Sequence, residues 1–215
     1  MGDSSLPREL VRKLLHLLIA LIVPVMNYSP WLALSLLSYG VILYIVSEQY
    51  RLEYEENPDK KLPTNMLTYA LIHPLRTIKQ VTVLVSRHCE SSDIVWAPVF
   101  LAGGAMAAVL LFPPRYATVG IYCLALGDTA ALFGGKIFKG PCLPLSKEKS
   151  YSGAIMCWIV CAGITYYYSQ SLVISCLVGG ACAFVESLQI HNADNIMIPV
   201  TGALSYEVLN KLLVG

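Results

Sequence analysis

Apolar residues in this chain gather into seven long runs, at 13–26, 31–47, 94–112, 116–134, 153–168, 172–187 and 196–214. Between them lie segments rich in charge, proline, glycine and serine. A helix crossing a bilayer needs about 20 mostly apolar residues, and most of these runs approach that length. The first is shorter and is interrupted by His16 and Pro24. The pattern predicts an all-α fold, a polytopic membrane helix bundle with about seven transmembrane helices. No composition shift marks off a soluble part, so residues 1–215 form one integral-membrane domain.

Composition agrees with the pattern. The chain is 56% hydrophobic and 13% charged, with a mean hydropathy of +0.60, too apolar for a soluble domain of this size. The N-terminal charge cluster leads into an interrupted run with no small-residue cleavage site, unlike a secretory signal. The net charge of +1 conceals a strong asymmetry. With the N-terminus cytoplasmic, 13 of the 15 Lys and Arg residues fall on inner segments, leaving Arg115 and Lys211 outside. Two inner segments stand out. The 48–93 connection opens as a polar loop and continues through a more apolar stretch at 66–85, which suits a broken helix in the interface. The 135–152 segment is a lysine-rich loop. No nucleic acid is expected among the partners.

Two acids contradict their surroundings. Asp128 and Glu186 sit inside apolar runs, where a carboxylate costs about 2.5–3.5 kcal/mol on insertion scales and rarely persists without a partner. The expected topology brings further polar groups to the same face. Arg12, Lys13 and His16 open the first helix there, and Glu48 and Arg51 close the second. Lys136, Lys147 and Lys149 follow the helix of Asp128, and Asp194 and Asn195 follow that of Glu186.

Carboxylates beside lysines and an arginine at an interface suit a magnesium–phosphate site. Mg²⁺ takes one or two carboxylates together with phosphate oxygens, and basic side chains neutralise the remaining charge. Small residues at Gly127, Ala131 and Gly135, and at Gly179, Ala183 and Ser187, let neighbouring helices come close beside both acids. Plain helix packing accounts for those glycines equally well, but not for the acids. The seven cysteines show no CxxC or zinc-type spacing and are expected to be small buried thiols. Gly134-Gly135-Lys136 lacks the Ser or Thr of a Walker loop, and no GxGxxG, HRD or DFG element occurs.

Arg12-Lys13-Leu14-Leu15-His16, Gly127-Asp128-Thr129-Ala130-Ala131 with Gly134, Lys149-Ser150 with Gly153, and Glu186 followed by Asp194-Asn195 and Pro199 form an ordered set. Together they resemble the motifs of the CTP-dependent lipid kinase family, which groups dolichol kinase, phytol kinase and the CTP-dependent diacylglycerol kinase. The chain departs from that pattern at Ser152 and Ala154, where the family usually carries Glu and Ser. The resemblance implies transfer of the γ-phosphate of CTP to the hydroxyl of a lipid alcohol, with Mg²⁺ as cofactor. By it, Asp128 and Lys149 are catalytic, and Asp128, Glu186 and Asp194 bind the metal. Arg12, Lys13, His16, Lys136, Lys147, Ser150, Gly153 and Asn195 form the nucleotide site. The spanning helices hold the tail of a polyprenol- or dolichol-like alcohol, and the site faces the cytoplasm. Two alternatives stand beside it. One is a phosphatidate cytidylyltransferase, whose HGG and DRxD signatures are missing here. The other is an ion-coupled transporter, for which intramembrane acids are also typical.

Overall fold

Prolines and serines set where the helices begin. In the computed structural model, which describes residues 6–56, 95–144, 146–188 and 193–214, the apolar runs fold as α-helices. Helices α1 (Leu6–Ile19), α2 (Ile22–Tyr28) and α3 (Pro30–Glu56) come first, followed by α4 (Ala97–Leu111). Next come α5 (Pro114–Tyr122), a π-helical turn (Cys123–Gly127) and α6 (Asp128–Phe138), which run on without a break. A hairpin of β1 (Cys142–Leu143) and β2 (Ser146–Ser150) leads into α7 (Tyr151–Ser169), α8 (Leu172–Ser187) and α9 (Asp194–Leu213). Pro98 and Pro114 occupy first-turn positions, where the missing N–H costs nothing. Ser150 and Ser171 cap α7 and α8 through their hydroxyls.

Three elements differ from the sequence expectation. The first apolar run is two helices, broken at Ala20 and Leu21, whose N–H groups bond only three residues back to Leu17 and Leu18. Pro24 explains the break, because it cannot donate to the Ala20 carbonyl and its ring crowds that turn. Helix α3 continues to Glu56, so the start of the 48–93 connection is helical rather than loop; residues 57–94, including the 66–85 stretch, lie outside the described residues. The 135–152 segment is only partly a loop. Its first four residues complete α6, which ends at Lys139 in the left-handed region (φ 40°). Its centre is an antiparallel hairpin pairing Cys142 with Ser150 and Leu143 with Ser146.

The continuous α5–π–α6 rod lies at the centre. Val119, Cys123, Leu124 and Ala131 along it pack with Cys157 and Cys161 of α7, Ile174, Val178 and Cys182 of α8, and Ile198 and Tyr206 of α9. A second cluster joins Val23 and Met26 of α2 and Ala33 and Leu37 of α3 to Ala105 and Ala108 of α4 and Ile121. Backbones meet closely where glycine allows it. A side chain on Gly104 or Gly120 would collide with the carbonyls of Asn195 and Pro199 on α9. Pro199 has a second effect, since it cannot donate to the Asn195 carbonyl four residues back.

The outward faces stay apolar, with Leu36, Ile42, Leu110, Ile159, Leu177 and Phe184 all exposed. Among the described residues, two helical segments, Pro30–Gln49 (20 residues) and Pro114–Phe138 (25 residues), are long and apolar enough to cross a membrane. Ala97–Leu111 and Leu172–Ser187 are shorter apolar helices.

Candidate functional site

Asp128 owes its position to the π turn. A π turn widens the helix by one residue, so the side chains after it face a different direction from those of a continuous α-helix. Thr129 anchors the region by donating its hydroxyl to the Ala125 carbonyl at 2.7 Å. Asp128 thereby meets α1, where Lys13 and His16, three residues apart, share one face. Lys13 Nζ lies 2.5 Å from Asp128 Oδ2, and His16 Nε2 lies 3.0 Å from the same oxygen. His16 Nε2 is also 2.9 Å from Asn195 Oδ1, and its Nδ1–H donates to the Arg12 carbonyl at 2.8 Å. The ring thus faces oxygens at both nitrogens, the Arg12 carbonyl at Nδ1 and the side chains of Asp128 and Asn195 at Nε2. All four side chains are buried: Lys13 is 4% exposed, His16 3%, Asp128 6% and Asn195 5%.

A second pair forms at the end of α8. Lys149, carried on β2, places Nζ 2.6 Å from Glu186 Oε1 and 2.7 Å from the Glu186 backbone carbonyl. That carbonyl belongs to the last turn of the helix and has no intrahelical donor, so the ammonium caps the helix as well as the acid. Asp194 Oδ2 stands 3.7 Å away, at the start of α9, where its Oδ1 accepts the Asn195 N–H at 2.9 Å. Burial alone would draw the Lys149 ammonium down. Glu186, with Asp194 and Asp128 behind it, more than offsets that and holds its pKa above the ordinary 10.5. Asp128 acting on Lys149 also makes the two pairs one electrostatic network. Its members come from α1, α6, β2, α8 and α9.

The loop residues of the ordered motif set have a packing role. Ser150 Oγ accepts the Gly153 N–H at 3.2 Å and lies 3.1 Å from Ser152 Oγ. Ser152 in turn accepts the Gly140 N–H at 3.3 Å, closing the base of the hairpin. The serine that stands where the family usually has Glu is therefore a structural link here. A Cβ on Gly153 would lie 2.7 Å from the Ala131 carbonyl oxygen, so glycine is what lets α7 approach α6 beside the site. Gly153→Ala is expected to cost about 1–3 kcal/mol through this overpacking, read as a lower midpoint of thermal unfolding in detergent. An unchanged midpoint would show that the two helices can part freely.

The other expected site residues are placed differently. Lys136 is exposed on the last turn of α6, two turns beyond Asp128. Arg12 contributes its carbonyl to His16. The side chains of Lys147 and Arg51 lie outside the described residues. Glu48, 1% exposed, accepts the Val95 N–H at 3.0 Å while the Tyr44 hydroxyl donates to the Val95 carbonyl at 2.6 Å. This acid holds the approach to α4. What the sequence did not show is the pairing itself, Lys13 with Asp128 and Lys149 with Glu186. It also did not show that Cys123, Cys161 and Cys182 meet.

Comparison of the chain with protein-family models, with curated proteins and with solved structures finds no match.

Proposed function

We propose that the chain is a membrane-embedded lipid kinase that transfers the γ-phosphate of CTP to the hydroxyl of a polyprenol- or dolichol-like alcohol. In this proposal about seven segments cross the bilayer, the N-terminus is cytoplasmic, and the site opens at the cytoplasmic face. One observation carries it: two buried carboxylates, each gripped by a lysine, converge from five separate elements into one network. CTP as the donor follows from the resemblance of the motifs from Arg12 to Pro199.

By ligand type the acids would suit Mg²⁺ held jointly with phosphate, although among the described residues the oxygens of Asp128, Glu186 and Asp194 do not all lie within 4.8 Å of one another. Asp128, Glu186 and Asp194 offer hard oxygen ligands. Among the described residues, Asp128 Oδ1 and Glu186 Oε2 make no hydrogen bond, while the partner oxygens are taken by lysine. Each acid thus keeps one oxygen for a cation. Bound there, Mg²⁺ would neutralise the charge that develops on the β- and γ-phosphoryl oxygens. Lys13 and Lys149, already poised at the acids, supply the positive charge that orients the phosphates of the nucleotide. In this proposal Asp128 Oδ2, released when Lys13 turns to the nucleotide phosphates, would accept the hydroxyl proton of the lipid alcohol, leaving Oδ1 to the metal. His16 Nε2, within 3.0 Å of both Asp128 Oδ2 and Asn195 Oδ1, would hold the two in register. The apolar outer faces of the helices lie against the lipid tail.

Isotopic labelling tests the reaction. Purified protein is incubated with polyprenols, phytol or diacylglycerol and CTP labelled at either the α or the γ phosphate. Label from γ is expected in the lipid. Label from α in the lipid would instead establish a cytidylyltransferase, and transfer of neither would return the acids to an ion path.

A further inference from the structure

Three thiols from distant parts of the chain meet in the dry centre of the bundle. Cys123 Sγ on the π turn, Cys161 Sγ on α7 and Cys182 Sγ on α8 all lie within 4.8 Å of one another, and all three residues are fully buried. A fourth, Cys157, places its sulfur 3.9 Å from that of Cys161. Two glycines make room for this sulfur cluster. A Cβ on Gly127 would lie 2.5 Å from Cys161 Sγ and 3.4 Å from Cys157 Sγ. One on Gly202 would lie 3.3 Å from Cys182 Sγ. The surrounding residues of the core, Leu124, Ile174, Val178 and Ile198, are aliphatic.

We infer that this cluster is a structural site for a thiophilic divalent cation of the Zn²⁺ type. Metal–sulfur bonds of about 2.3 Å place neighbouring sulfurs roughly 4 Å apart, which the three thiols reach with small rotamer changes. Cys157, with its sulfur 3.9 Å from that of Cys161 but outside the three-thiol group, is the next donor and would have to turn to reach the fourth position. Soft sulfur donors select such a cation over Mg²⁺. Coordination deprotonates the thiols: three S–H bonds break, their protons leave to solvent, and three metal–thiolate bonds form. The complex carries one net negative charge, spread over three polarisable sulfurs. Its structural consequence is specific, because the cation would tie the π turn that positions Asp128 to α7 and α8.

Cd²⁺ is the probe, since its thiolate complexes absorb in the ultraviolet. A background variant carries Cys89→Ser, Cys142→Ser and Cys176→Ser, so that only the cluster thiols remain. Reduced protein in detergent is expected to bind one equivalent with a charge-transfer band and a raised unfolding midpoint. Cys161→Ala and Cys182→Ala should each abolish the band and the rise, with size-exclusion elution confirming that they fold. Native mass spectrometry of the wild-type chain gives a reading without any variant, as an added mass of one cation. No stoichiometric band, or a band that survives both substitutions, would overturn the site.

Discussion

Asp128→Asn is expected to lower the proposed phosphoryl transfer by roughly 10³-fold or more, because it removes both the proposed metal ligand and the proposed proton acceptor. The same change carries a separate cost in stability. Lys13 would be left 4% exposed with no carboxylate at its Nζ. Removing one partner of a buried pair costs about 3–5 kcal/mol, chiefly because the other charge stays desolvated. His16, still held by Arg12 and Asn195, offers Lys13 no compensation. The two effects separate in a double variant. Asp128→Asn with Lys13→Met removes the stranded ammonium, so the unfolding midpoint should recover most of its loss while transfer stays abolished. Thermal unfolding in detergent and γ-label transfer, run on the two single variants and the double, read both. Full activity in Asp128→Asn would remove Asp128 from the site. A double variant no more stable than Asp128→Asn alone would refute the buried-pair account.

Lys149→Met is expected to reduce kcat/KM for the proposed nucleotide by about 10²-fold, since one charge proposed to orient its phosphates is lost. It also strips Glu186 of its nearest cation and the last turn of α8 of its cap. The stability part has a defined pH signature. In the folded protein the Lys149 pKa is raised above 10.5, with Glu186 and Asp194 overcoming burial. A raised value means that the native state binds this proton more tightly than the unfolded chain does. Its contribution is therefore fully present below the ordinary lysine pKa and is lost as pH rises through the elevated one. The stability difference between wild type and Lys149→Met should be level from pH 7 to about 10 and shrink only above 10.5. A difference that falls away between pH 7 and 9 would mean that another group controls the pair. Adding Glu186→Gln should restore stability to Lys149→Met without restoring transfer, by the same logic as at Asp128.

Much of the helical layout was legible from apolar run lengths, because burying or lipid-facing a whole helix demands a continuous stretch of apolar residues. The runs at 94–112, 153–168 and 172–187 correspond closely to α4, α7 and α8. The exceptions have local causes that hydropathy does not register. Pro24 splits the first run through a missing donor, and the β1–β2 hairpin is too short and too polar to show a strand period. The π turn has no compositional signature at all, since Cys123–Gly127 would read equally well as α-helix.

The candidate site divides in the same way. A carboxylate in an apolar run is conspicuous one residue at a time, because its desolvation cost does not depend on knowing its neighbour. Asp128 and Glu186 were therefore visible in the sequence, as was the basic character of the segments around them. Which lysine meets which acid was not. Lys13 and Asp128 are 115 residues apart, and His16 and Asn195 are 179 apart. Only helix packing, with glycines admitting close crossings, brings such residues within 3 Å. The cysteines make the same point, for their spacing along the chain looked random until three helices delivered their sulfurs to one place. Sequence by itself determined the helices and the acids that need partners, because hydrophobicity and desolvation act on each residue where it stands. Tertiary structure alone decided the partners, because a contact distance is a property of two segments together.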